Sequence, residues 1–303
     1  MFKPELFNSL KNYSTKTFVS DLIAGVIVGV VALPLAIAFA IASGVSPERG
    51  LFTAIIAGFC ISFFGGSKVQ IGGPTGAFAV IVYGVVNKFG YEGLVIATIM
   101  AGILLILLGA FKMGGLVKFI PYTIVTGFTA GIAVTILTGQ IGDFFGLTTG
   151  KMPGDFVGKI KVYIESFNTI NWYSFGIAAI SLIVIFLWPK INKKVPGSLI
   201  VIILATVVSL ILEHTLGWKT DTIGSRYGAI PSSLPAPTIP GISLDLIKQL
   251  FPTAVSIAVL AAIESLLSAV VADGMIGSKH DSNTELIAQG IANIASPIFG
   301  GIP

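Results

Sequence analysis

The sequence predicts an all-α integral membrane protein in which an interrupted third helix and an inverted repeat organise the fold. Three observations carry this. Hydrophobic residues make up 54% of the 303-residue chain and charged residues 11%, at a mean hydropathy of +0.94, whereas a soluble domain carries about 25% charged residues. The chain also holds 36 glycines and 15 prolines, which suits packed, interrupted membrane helices better than a soluble core. Finally, Gly72-Gly73-Pro74 has an echo in Gly300-Gly301-Ile302-Pro303.

The net charge of +4 comes from lysines in loops, so it bears on orientation. The expected surroundings are the lipid bilayer, with no nucleic acid as partner. Cys60 is the single cysteine, which excludes an internal disulfide and a cysteine metal cluster. No cofactor or metal is expected.

Residues 1–20 are polar, with Lys3, Lys11 and Lys16 among scattered Phe and Leu, and read as a cytoplasmic segment at the membrane surface. A first span covers 22–42; Gly25 and Gly29 are spaced for close helix contact, and Pro34 removes a hydrogen bond in its middle. The second span is 51–64, the turn Gly65-Gly66-Ser67-Lys68 follows, and the fourth and fifth spans are 91–111 and 121–138, the latter with Gly127 and Gly131. Phe156, Ile160, Ile164 and Phe167 recur at helical spacing in a polar stretch, predicting an interfacial helix. The sixth and seventh spans, 172–188 and 197–212, flank the basic loop 189–194. Residues 213–245, with Pro231, Pro235, Pro237 and Pro240, form the boundary between halves. An eighth span covers 251–272 and a short ninth 285–299. The short outer loops carry only Arg49 and Lys88, against three lysines in the sixth-to-seventh loop, which places the N-terminus in the cytoplasm.

The third element is the informative one. Val69 to Ile71 reads as extended, a short β-like segment; Gly72 and Gly73 let the backbone turn, and Pro74 suits the first position of a helix, where its missing N–H costs nothing. A helix starting inside the membrane leaves the N–H groups of Thr75, Gly76 and Ala77 open, at the positive end of the helix dipole. Such a start is an anion site or a re-entrant turn without ligand. Pro34 precedes Pro74 by about as many residues as Glu264 precedes Pro303, and seven spans, an odd number, come before the boundary. The second copy therefore runs inverted, as in secondary transporters whose interrupted helices meet near the midplane.

Glu264 is the one ionisable residue well inside a span. A charged carboxylate at a helix centre costs roughly 3 kcal/mol to insert, and such residues face a cavity or a proton path. Ser265 and Ser268 flank it, and the three side chains together suit a proton site or, with backbone carbonyls, a small cation; the alternative is a structural hydrogen bond to a neighbouring helix. Asp273, Lys279, His280, Asp281 and Glu285 read as a solvated loop rather than a metal site, because the other histidine, His214, falls across the membrane. The chain has no HExxH, Walker A or GxSxG pattern, and a second catalytic group to accompany Glu264 is missing, so an enzyme is not expected.

Ile263-Glu264-Ser265-Leu266-Leu267-Ser268-Ala269-Val270-Val271-Ala272-Asp273-Gly274, Lys279-His280-Asp281-Ser282-Asn283-Thr284-Glu285 and Phe299-Gly300-Gly301-Ile302-Pro303 closely resemble the SulP (sulfate permease) anion transporters. Pro34-Leu35-Ala36-Ile37-Ala38-Phe39-Ala40 resembles the family's first-helix motif and Gly73-Pro74-Thr75-Gly76-Ala77 its third-helix half-site. The resemblance implies a seven-plus-seven inverted-repeat fold, with a core domain (helices one to four over 21–111, eight and nine over 246–303) moving against a gate domain (helices five to seven over 112–214), and 215–245 as the inter-repeat loop. By position Phe39 would wall the site, Pro74 would open the half-helix, Thr75, Gly76 and Ala77 would bind the anion, and Glu264, Ser265 and Ser268 would serve the coupling ion, H+ or alternatively Na+. Proton-coupled uptake of a dicarboxylate, sulfate or bicarbonate by an elevator-like mechanism follows, in the cell (inner) membrane and as a homodimer when complete. Leu35 departs from the glutamine often held there by sulfate-carrying members. Half-helix ten, the remaining gate helices and the STAS domain are absent, so the chain is expected to be a truncated form that does not transport alone. The alternatives are a nucleobase permease of the same architecture and an anion channel.

Overall fold

The computed structural model describes residues 2–115, 122–150, 152–192, 195–218, 220–233, 235–241 and 243–303. Pro121 at the head of the fifth span, and Lys193 and Lys194 of the basic loop, lie outside them. The described structure is helical: α1 (Glu5–Ser9), α2 (Thr15–Ala42), α3 (Pro47–Phe64), α4 (Ala79–Ala110), α5 (Tyr122–Phe145), α6 (Phe156–Glu165), α7 (Trp172–Ile191), α8 (Gly197–Leu216), α9 (Ile223–Tyr227), α10 (Leu244–Ile276) and α11 (Ser282–Ile298). Six helices are long and apolar enough to cross a membrane, and Thr129–Phe145 is a shorter apolar one. The chain is thus a multi-pass membrane protein. It divides into two units, Met1–Ile23 with Ala32–Gly127 and Pro231–Pro303, and Ala24–Val31 with Phe128–Ile230.

In the first unit α11 is the central element. None of residues 282–300 is exposed, and α11 packs against α4, α3 and α10. Its start is fixed by Asp281, whose Oδ1 accepts the N–H groups of Asn283 and Thr284 at 3.0 Å each, satisfying donors that have no partner within the helix. The crossing with α4 is close because two glycines face each other: a Cβ on Gly102 would lie 2.7 Å from the Gly290 carbonyl oxygen, and one on Gly290 2.5 Å from that of Gly102. Leu94 and Leu105 of α4, Leu250 and Ile257 of α10 and Leu286 of α11 fill the apolar core around it.

Several expectations are corrected here. Around Gly25, Gly29, Gly127 and Gly131 a Cβ would meet nothing within 4 Å among the described residues; glycine spacing permits close approach, but the apposed helix decides where it happens. Within α4 the third and fourth spans are two helices that meet at a kink at Gly90, whose non-helical φ of 71° needs glycine, so the separation expected before Tyr91 holds. Helix α2 begins at Thr15, inside the stretch read as preceding the first span, with Ser14 Oγ capping the Thr17 N–H, and it runs on across Pro34. Residues of α1 pack on the end of α3: the Glu5 N–H donates to the Gly65 carbonyl at 2.9 Å, and Phe7 meets Phe63 edge-on. Helix α6 stops at Glu165, so Phe167 falls in a 3-10 turn beyond it.

In the second unit Phe145 stacks on Phe175 of α7 at 5.3 Å, and Arg226 bridges Asp143 and Asp221. Helix α7 has no buried residue and α8 only Val201.

Candidate functional site

The site lies in the first unit, where the stretch 69–78 passes α10. Among the described residues 69–71 forms no strand, which corrects the β-like segment: a strand needs a backbone partner, and here the side chain of Gln70 makes the contact instead. Its Nε2 donates to the carbonyl and the hydroxyl of Ser265, 3.1 Å each. The turn at Gly72 is tight against α3, where a Cβ would run into Ile61.

Thr75 is the N-cap. Its backbone is extended (φ −131°, ψ 149°) and its Oγ1 accepts the Ala77 N–H at 3.2 Å, opening a 3-10 turn over Gly76–Phe78 that α4 continues. Two expectations change. Pro74 precedes the cap and is not the first helical residue, because threonine supplies a capping oxygen that proline lacks; and the Ala77 N–H is already engaged. The N–H groups of Thr75 and Gly76 take no protein partner among the described residues.

The same threonine reaches the membrane carboxyl. Its hydroxyl donates to Glu264 Oε1 at 2.6 Å, within the range of a strong O–H···O bond to a carboxylate. Glu264 Oε2 is buried without a partner, as is Gln70 Oε1. The structure thus joins Thr75, Gly76 and Ala77 to Glu264. Ser265 and Ser268 are on the same helix but bond elsewhere: Ser268 Oγ donates back to the Ser265 carbonyl at 3.0 Å, and Ser265 is held by Gln70. Phe39 is half-buried on α2 and forms no aromatic pair among the described residues.

Two participants escape a reading by sequence. Gln70 stands one residue before the Ile71-Gly72-Gly73 turn, and its polar side chain in an apolar stretch was the available signal. Glu285, read as part of a solvated loop, is 0% exposed. It heads a line of polar side chains four residues apart, Glu285, Gln289 and Asn293, all on the buried side of α11. His280 and Asp273 are also largely covered and pair through Nδ1 and Oδ2 at 2.7 Å. Among the described residues no group of three or more metal-ligating side chains occurs.

The model of the sulfate permease family matches residues 18–303. The chain belongs to that family. It is a family of transporters and not of enzymes. The chain is 50% identical over 97% of its length to the protein named "Putative sulfate transporter YvdB" of Bacillus subtilis (strain 168), of which it covers 55%. It is 33% identical over 93% of its length to the bicarbonate transporter BicA of Synechocystis sp. (strain ATCC 27184 / PCC 6803 / Kazusa), of which it covers 50%. The chain therefore spans about half the length of these relatives. The solved transmembrane domain of a cyanobacterial BicA superposes with a TM-score of 0.80 at 33% identity, covering 93% of this chain and 72% of that one. The overall structure of SLC26A9 superposes equally well at 20% identity, which shows the shared fold alone.

Proposed function

We propose that this chain is the anion-binding and coupling portion of a secondary active transporter that brings a small anion into the cell together with a proton. The observation that carries the reading is the hydrogen bond between Thr75, at the start of the half-helix, and Glu264. An anion taking the N–H groups of Thr75 and Gly76 sits beside that carboxyl. With Glu264 ionised, two negative charges about 6 Å apart at an effective dielectric near 20 repel by about 3 kcal/mol. Adding a proton removes the repulsion, so proton and anion each strengthen the other's binding by roughly a hundredfold. The unpartnered Oε2 of Glu264 is the atom for that proton; a sodium ion there would act in the same sense.

Sulfate and bicarbonate are the substrates of relatives by name, and a dicarboxylate offers the same charged oxygens. The first unit would be the core domain that carries the site in an elevator-like movement, the second the gate, in the cell membrane with the N-terminus cytoplasmic. The test is uptake of labelled sulfate, bicarbonate and succinate by the full-length protein in sodium-free liposomes, with and without an inward proton gradient. Accumulation of one of them only with the gradient is expected. Flux that merely follows the anion's own gradient would make the protein a channel, and accumulation that needs sodium would replace the proton.

A further inference from the structure

Glu285 is a buried carboxyl that the coupling reaction does not use. It lies in the first turn of α11, 0% exposed; among the described residues no salt bridge reaches it, and His280 acts on it only at longer range. Its partners are donors. The Gly66 N–H donates to Oε2 at 2.9 Å, Gln289 Nε2 to Oε1 at 3.4 Å, and Ser265 Oγ to Oε1 at 3.5 Å. Because Gln70 Nε2 already donates to Ser265 Oγ, the serine's own hydrogen is directed at Glu285. In each of these contacts Glu285 is the acceptor.

The contacts make a brace. On one side Glu285 holds the Gly65-Gly66-Ser67 turn, which α11 also grips through the Asp281 N–H on the Gly66 carbonyl at 3.0 Å; Gly66 tolerates no side chain there, since a Cβ would lie 2.2 Å from the Asp281 carbonyl oxygen. On the other side Glu285 reaches Ser265 and through it Gln70. Both ends of the segment that leads from α3 to Thr75 are thereby tied to one buried carboxyl. Ser265 is the neighbour of Glu264 in α10, so the same tie sets that helix against the segment bearing the anion's N–H donors.

We propose that Glu285 is a positioning residue for the Thr75–Glu264 site, acting through Gly66 on one side and through Ser265 and Gln70 on the other. The consequence for transport rests on the function proposed above; the brace itself does not. Two measurements on the full-length protein separate them. Hydrogen exchange followed by mass spectrometry should show faster exchange in Glu285→Gln over residues 66–78, with residues 172–216 unchanged, and Ser265→Ala and Gln70→Ala should reproduce it. No change, or a rise throughout the protein, would overturn the brace. In liposomes, KM for the transported anion should rise about tenfold in Glu285→Gln, as for loss of a hydrogen bond that positions the site, with maximal rate per folded protein retained and Glu285→Asp partly restoring KM. The double variant with Gln70→Ala should be little worse than either single one. Fully additive effects on KM, or a fall in maximal rate alone, would overturn the positioning role. If the native protein moves none of the three anions while the exchange result holds, the functional reading fails and the brace stands.

Discussion

The hydroxyl of Thr75 lies 2.6 Å from Oε1 of Glu264 and also caps the N–H of Ala77. One side chain therefore ends the interruption in the third element and touches the carboxyl of Glu264. A change of charge on Glu264 is felt at the start of the half-helix through a single atom.

Replacing Thr75 with valine keeps the shape and deletes that atom. Glu264 Oε1 loses its donor and the Ala77 N–H its cap, together about 1–3 kcal/mol. Uptake at low substrate is expected to fall by about tenfold or more, with Thr75→Ser restoring most of it; initial rates in liposomes check this.

The crossing of α4 with α11 should tolerate no side chain at Gly102. Alanine there meets the Gly290 carbonyl at 2.7 Å and Ile294 Cγ1 at 2.7 Å. Gly102→Ala is expected to destabilise by about 1–3 kcal/mol, whereas Gly25→Ala should stay within about 0.5 kcal/mol. Thermal unfolding in detergent distinguishes the two.

Thr53 holds the segment 299–303. It is 1% exposed, its Oγ1 accepts the Ile302 N–H at 2.7 Å, and Tyr91 and Arg49 secure the carbonyls of Gly301 and Gly300 at 2.7 and 3.2 Å. Thr53→Val leaves the Ile302 N–H buried and unpaired, a loss of about 1–3 kcal/mol. Faster hydrogen exchange at 299–303 is the expected signature, and Thr53→Ser should behave as native.

The interrupted helix and Glu264 were legible because the membrane penalises what they contain: turn-forming glycines, a proline and a carboxyl have no neutral place in an apolar span. Glu285 was hidden by its surroundings. It follows Lys279, His280 and Asp281, residues that read as solvated, and only its four-residue spacing with Gln289 and Asn293 marked a shared helix face. That face turns inward because α11 is covered on all sides, a fact of tertiary packing. Among the described residues the close glycine crossing lies elsewhere than at the sequence-spaced pairs. Gly25 and Gly29 have the spacing of a crossing, but Gly102 and Gly290, far apart in sequence, make one.

The linkage between proton and anion at Glu264 can be read directly as heat and proton uptake. Calorimetric binding of the transported anion to the full-length protein would be measured from acid to alkaline pH, for the native protein and for Glu264→Gln. An ionised Glu264 repels the anion, so native affinity should fall as pH rises and each bound anion should draw protons from the buffer; Glu264→Gln, neutral at every pH, should keep the acid-side affinity throughout and take up none. Native affinity independent of pH, or an unchanged pH dependence in Glu264→Gln, would contradict the account.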